Sequence, residues 1–358
     1  MPRPIVATTD LAAMRANLSR ARAVAPGSKI WAVVKADAYG HGLQNGLKGF
    51  ADADGLSLIE FDCAVRLRDL GWTRPIMMMQ GMFESSDLKL IVEHRLQPVI
   101  HTAEQLEMLE AFASPIPVDV HLKINTGMNR LGFPAEQARD VWQRLSAMPS
   151  VGKVSMITHF ANADQATADP DVEEQMRRFR LAIEGLPGEV SVSNSPATLL
   201  HPELRCDWIR PGVMLYGGSP GGGSADSFGL KPAMRLSSRL IAVQSLRPGD
   251  SVGYGSLFRA EHGMRIGIVA CGYADGYPRH APTGTPVVVN GRRTRLLGRV
   301  SMDMLNVDLT DLPNTGVGAE VMLWGDGLPV DEVAQAAGTI GYELMCAITP
   351  RVQRATTA

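Results

Sequence analysis

The sequence predicts an α/β protein, with an N-terminal (β/α)8 barrel of the TIM type over residues 1–228 and a mainly β C-terminal domain over residues 229–358. Three observations carry this reading. Eight short β-prone runs alternate with helix-like segments between residue 30 and about residue 210. The text then turns to SPGGGSADSFG at 219–229, and beyond that break helical periodicity nearly disappears. A chain of 358 residues also exceeds what one hydrophobic core usually serves.

The eight runs lie at 30–34, 56–59, 75–79, 97–100, 117–124, 154–158, 190–193 and 207–209. Segments between them have helical signatures. In TAEQLEMLEAF (102–112), Thr102 and Gln105 stand at capping-box spacing, and Leu106, Leu109 and Phe112 mark one face. The glycine-rich run at 219–229 lacks the Lys-Ser/Thr ending of a phosphate loop and opens no periodic helix, so it reads as a connector. Downstream, Asn290-Gly291 between apolar runs signals a hairpin, and residues 330–337 and 342–348 read as closing helices.

Hydrophobic residues make up 45% and charged residues 20%, with net charge −2, a composition that asks for neither nucleic acid nor an anionic membrane. The four cysteines, Cys63, Cys206, Cys271 and Cys346, form no CxxC pair, so neither a disulfide framework nor a metal site is expected. The opening MPRPIVATTD lacks the apolar stretch of a secretion signal, and no run reaches the ~18 apolar residues of a membrane span. The expectation is a cytoplasmic enzyme.

Polar residues recur where the barrel strands end. Lys35 ends the first strand, Lys123 the fifth, His159 follows the sixth, Asn194 and Ser195 follow the seventh, and Arg210 closes the eighth. Singly they read as a solvated strand end, a core histidine or a helix cap. Together they fall on the C-terminal face, where barrels of this kind place their active sites. The AVVK string at Lys35 also occurs in protein kinases, but no glycine-rich loop precedes it and no HRD or DFG string follows. A lysine, a serine at a helix start, an arginine and a histidine suit an anionic cofactor bearing an aldehyde, which a desolvated lysine amine can hold covalently. Ser195 followed by Pro196 reads as N-cap and first helical residue, a place for a phosphate.

AVVKADAYGHG (32–42) resembles the cofactor-lysine motif of alanine racemases. The similarity continues through HLKINTGMNRLGF (121–133), THFANAD (158–164), NSPA (194–197), RPGVMLYG (210–217), VGYG (252–255), GYADGYPR (272–279), GRVSMDM (298–304) and GTIGYELMC (338–346). The nine strings are collinear over nearly the whole chain. The resemblance implies pyridoxal 5′-phosphate as cofactor and a homodimer whose two active sites are shared between subunits. It implies that Lys35 carries the cofactor and is one acid/base, and that Tyr254, from the partner, is the base on the opposite face. Tyr39, Ser195, Gly212 and Tyr342 would surround the phosphate, with Asn194 beside Ser195. Arg130 would face the substrate carboxylate and the cofactor phenolate, while Met302 and Asp303 would border the carboxylate pocket from the second subunit. His159 would contact Arg210, which would bond the pyridine nitrogen. Lys123 is carbamylated in many family members, and Asn125 stands where many have aspartate.

Two-base proton exchange between L- and D-alanine follows from this resemblance, in D-alanine supply for peptidoglycan or in D-alanine catabolism. A racemase of another small amino acid such as serine, a barrel-type pyridoxal-dependent decarboxylase, and a non-catalytic pyridoxal carrier are the competing readings. The decarboxylase would need a glycine-rich phosphate motif and a cysteine-aspartate motif that are not found in the sequence, and the carrier typically lacks a second domain.

Overall fold

The computed structural model describes residues 3–165, 167–204 and 206–358. After β1 (Val6–Asp10) come β2 (Lys29–Val33), β3 (Gly55–Leu58), β4 (Ile76–Met78), β5 (Gln97–Ile100) and β6 (Val118–Asn125). The short β7 (Phe133–Pro134) lies against β6, followed by β8 (Val151–Ile157), β9 (Val190–Ser191) and β10 (Trp208–Ile209). Each neighbouring pair from β2 to β10 is parallel, and Trp208 of β10 pairs with Lys29 of β2, closing eight strands into a barrel. All eight β-prone runs of the sequence coincide with these strands. Their apolar residues make near-continuous buried runs, as strands covered by helices on one side and filled by side chains on the other must.

A second cluster of strand residues, Trp31, Met77, Val99, Ile157 and Trp208, packs with the two indoles stacked at 4.2 Å, and its Ile157 also lines the pocket described below. The predicted helix at 102–112 runs over Ala103–Ala111, and the Thr102 hydroxyl caps it by accepting from the Gln105 amide. The Gln105 side chain instead spans the preceding loop. It donates to the carbonyls of Gln80 (2.8 Å) and Met82 (2.9 Å), so the capping box is one-sided.

The second sheet is built from β11 (Met234–Leu246), β14 (Met264–Val269), β15 (Pro286–Val289), β16 (Arg292–Leu297), β17 (Leu305–Asp308), β18 (Glu320–Trp324) and β19 (Gln353–Thr357), with a separate ribbon of β12 (Ser251–Val252) and β13 (Phe258–Arg259). The long β11 pairs with β18 through one half and with β14 through the other, which closes six antiparallel strands on one another. The Asn290-Gly291 hairpin forms as read, with φ of 47° and 77° joining β15 to β16. Helices Val330–Ala336 and Gly341–Cys346 match the closing pieces. Residues 6–10, inside the 1–228 span read as the barrel domain, form β1, which pairs with β11 and β19 in the second sheet. Among the described residues no helix is long and apolar enough to cross a membrane.

Candidate active site

A pocket of about 1110 Å³ opens over the C-terminal ends of the barrel strands. Lys35, Tyr39, Lys123, Arg130, His159, Asn194, Ser195, Arg210, Gly212 and Tyr342 all line it, so ten of the thirteen residues singled out from the sequence converge. The remaining three, Tyr254, Met302 and Asp303, are not among its lining residues and lie on the second domain.

Lys35 is followed by a short turn of unusual hand. Ala36, Asp37 and Ala38 have φ of 53°, 52° and 54° with ψ near 50°, and Tyr39 continues at φ 52°. Four consecutive non-glycine residues are thus left-handed, at a cost of about 1–2 kcal/mol each. Surrounding contacts hold them there. The Asp37 carboxylate accepts from the Leu43 amide (2.7 Å), Glu60 accepts from the Ala36 amide (3.1 Å), and the Tyr39 ring stacks on Tyr216 at 4.7 Å. Tyr216 is itself anchored by donating to the Val33 carbonyl (2.8 Å). Backbone strain this concentrated at a pocket is a mark of function, because only a large compensating need preserves it.

Arg210 is the most constrained cation. Only 3% exposed, it donates through one terminal nitrogen to the Ser191 carbonyl and hydroxyl (both 2.7 Å) and through the other to the Thr158 carbonyl (2.6 Å). Its Nε–H is buried without a partner among the described residues, on a side chain that lines the pocket. Burial lowers its pKa to about 10, which still leaves it protonated at neutral pH. An acceptor nitrogen of a bound ring would satisfy that lone donor.

The other cations compete. Burial, then the charge of Arg130, lowers the pKa of Lys35. Burial, then Arg210, Arg130 and Lys35, lowers that of Lys123 to about 8. His159 is pushed well below its ordinary value by burial and the same cations, so it is neutral. It approaches Asn194 (Nε2 to Nδ2, 3.5 Å); among the described residues no hydrogen bond joins it to Arg210, whose influence on it is electrostatic. Arg130 follows a loop that Asn125 closes by accepting from the amides of Gly127 and Asn129 (both 3.1 Å). The Asn125 Nδ2 also donates to the Asn129 side-chain oxygen (3.0 Å), a bond that an ionised aspartate could not make.

At the other end of the pocket the Ser195 hydroxyl accepts from the Gly212 amide (2.8 Å), and a Cβ on Gly212 would collide with the Tyr39 hydroxyl. Burial raises the pKa of Tyr39 and Tyr342, so both present O–H donors. The helix Ser195–Leu200 starts one residue earlier than read. Asn194 is its cap, accepting from the Ala197 amide (3.1 Å), and Ser195 is the first helical residue. The hydroxyl donors here and the Nε–H of Arg210, unpartnered among the described residues, fit a ligand with an anionic group and a ring acceptor. The sequence reading missed Tyr216 and Cys346. Both lie inside quoted motifs, but a one-dimensional string does not reveal that one backs Tyr39 and the other lines the pocket with Lys35.

Tyr254 occupies the turn between β12 and β13, where Gly253 and Gly255 adopt φ of 69° and 78°. It is 72% exposed, and Met302 is 53% exposed.

The family model described as alanine racemase, N-terminal domain, matches residues 9–220, and that described as alanine racemase, C-terminal domain, matches residues 233–356. An alanine racemase of Janthinobacterium sp. (strain Marseille) is 59% identical over 358 residues, covering 99% of both chains. One of Ralstonia pickettii (strain 12J) is 53% identical over 358 residues, covering 98% of this chain and 95% of the relative. The crystal structure of the biosynthetic alanine racemase from Pseudomonas aeruginosa superposes with a TM-score of 0.97 at 47% identity, covering 99% of this chain and 100% of that one. With both domains matched and relatives aligned end to end, the chain belongs to the alanine racemase family.

Proposed function

We propose that this chain interconverts L-alanine and D-alanine with pyridoxal 5′-phosphate as cofactor, as a cytoplasmic homodimer with shared active sites. The boundary between its barrel and β domains is assigned to residues 228 and 229. The observation that carries the reading is the Nε–H of Arg210, unpartnered among the described residues, on a side chain that lines the same pocket as Lys35. When bound, the cofactor supplies an aldehyde for the lysine amine and an electron sink that acidifies the substrate Cα–H.

The protein residues then have separable tasks. Lys35, whose amine is made easier to deprotonate by burial and Arg130, holds the cofactor and moves a proton at one face of Cα. Tyr254 of the partner subunit serves the opposite face. Arg210 gives the ring nitrogen a hydrogen bond and keeps its own proton, which limits electron withdrawal and favours return of the proton to Cα. Tyr39, Ser195, Gly212 and Tyr342 hold the phosphate, Asn194 fixes the turn beside it, and neutral His159 adds no further charge. Arg130 faces the substrate carboxylate, with Met302 and Asp303 of the partner at its border.

Lys123 is assigned as a carbamate. With a pKa of about 8 a usable fraction of its amine is neutral at physiological pH; the nitrogen adds to carbon dioxide and loses a proton, leaving an anion beside Arg130 and Arg210. Because the two enantiomers of alanine have equal free energy, cellular demand sets the direction, D-alanine supply for peptidoglycan or D-alanine breakdown. The test is a racemisation panel on the holoenzyme, with L-alanine and L-serine, together with borohydride reduction and peptide mapping. Alanine should turn over fastest and the reduced cofactor should sit on the Lys35 peptide. Cofactor on a different lysine would overturn the assignment.

A further inference from the structure

We propose that Asp275, gripped by Arg3 and Arg351, is a positioning residue that holds the Ser301–Met304 loop, and with it Met302 and Asp303, in register for the substrate carboxylate. This rests on the placement of Met302 and Asp303 proposed above. The Asp275 side chain is fully buried. One carboxylate oxygen accepts from Arg3 Nη1 (2.6 Å) and Arg351 Nε (2.9 Å), and the other from the Gly272 amide (2.9 Å).

Both arginines also reach the loop. Arg3 Nη2 donates to the Asp303 carbonyl (2.7 Å), and Arg351 Nη2 donates to the Asp303 carboxylate (2.6 Å). Asp303 is therefore committed on two sides, and its carboxylate is paired within the chain. The loop is further stitched to the turn that carries Asp275, since the amides of Tyr273 and Ala274 donate to the carbonyls of Ser301 and Met302 (both 3.0 Å). Contact is so close that a Cβ on Gly272 would collide with both carbonyls.

Stability alone does not explain this arrangement. Burying the Asp275 carboxylate costs desolvation that two partly exposed arginines repay poorly, and an apolar residue of similar volume often serves a fold as well. What the clamp gains is definition. Three segments distant in sequence, residues 3, 272–275 and 351, meet at one carboxylate, and the two arginines carry that junction to the 301–304 loop, which holds Met302 out at 53% exposure. A side chain projecting from a clamped backbone is suited to enter a neighbouring pocket without further ordering cost.

The experiment compares wild-type, Arg351→Ala and Asp275→Asn holoenzymes. Calorimetric binding of propionate, alanine's carboxylate without its amino group, is measured beside KM and kcat for L-alanine. For Arg351→Ala, cofactor absorbance and cooperative melting should persist. The propionate Kd and the alanine KM should each rise about tenfold, the equivalent of one lost charge-assisted hydrogen bond, with kcat falling less. Because Arg351 reaches the loop through the Asp303 carboxylate, adding Arg351→Ala to Asp303→Ala should raise KM little further. Arg351 lies at the surface, so its truncation decides even where Asp275→Asn fails to fold. Unchanged Kd and KM in a folded Arg351→Ala enzyme, or additive effects in the double variant, would overturn the clamp. A wild-type enzyme that binds propionate but does not racemise alanine would sink the proposed function instead, and weaker propionate binding by Arg351→Ala would still support the clamp.

Discussion

At the scale of single residues the site is an excess of cations held close together, and burial decides how each responds. Lys123 illustrates the sign of the effect. Its pKa falls from 10.5 to about 8 on folding, so between those values the unfolded chain binds a proton that the folded chain does not. Stability therefore rises as pH increases from about 8 to 10.5, and the penalty is fully present below 8. In the cofactor-free protein in carbonate-free buffer, Lys123→Met should flatten this rise, by at most about 3 kcal/mol in urea titrations at pH 7.5 and 10. Equal slopes for the two proteins would show that Lys123 is not the titrating group. Arg210 has the opposite liability, because its donors serve buried carbonyls of Thr158 and Ser191. Arg210→Met should cost about 3 kcal/mol or more by leaving those acceptors unpaired, quite apart from its effect on catalysis. A urea midpoint within error of wild type would contradict this.

At the scale of elements, what could be read from the sequence follows from where the physical signal is local. The eight barrel strands were legible because each is a short apolar run between polar segments, and β5 matched to the residue. β1 was not, because VATTD alternates buried and half-buried residues and carries no mark of which sheet it will join; that is settled by pairing with residues 234–237 and 353–357. Nor could the left-handed turn be foreseen. Left-handed geometry is normally signalled by glycine, and in KADAY it is imposed on residues that disfavour it. Ala36 is exposed and carries part of this strain, so Ala36→Gly should stabilise the fold by about 1 kcal/mol after allowing for the freer unfolded chain. Thermal melting of the holoenzyme checks this, and a lower melting temperature would mean that neighbouring contacts, not φ, set the balance at this position.

At the scale of the whole molecule, the barrel supplies a pocket with one candidate base and the β domain displays the other on its surface. Lys35, Lys123, His159, Asn194, Ser195 and Arg210 were legible together because a barrel gathers its strand ends on one face, whereas Tyr39, Arg130, Gly212 and Tyr342 were legible only through the motifs that hold them. Tyr254, Met302 and Asp303 were legible only as motifs, since they do not line the pocket of their own chain, and in the proposed dimer they would reach the pocket of the second copy. The 72% exposure of Tyr254 gives that relation a physical motive but not a location. Subunit mixing supplies the test. If each site takes Lys35 from one subunit and Tyr254 from the other, Lys35→Ala and Tyr254→Phe homodimers should both be nearly inactive. In a mixed dimer, one site lacks both groups and the other retains both. Random reassociation makes about half the dimers mixed, each with one intact site of two, so roughly a quarter of wild-type activity should return. A site built within a single chain predicts no recovery, because neither mutant chain holds both groups. Mass spectrometry establishes that mixed dimers have formed; their inactivity would place both bases on one subunit and require Tyr254 to reach Lys35 of its own chain by domain movement.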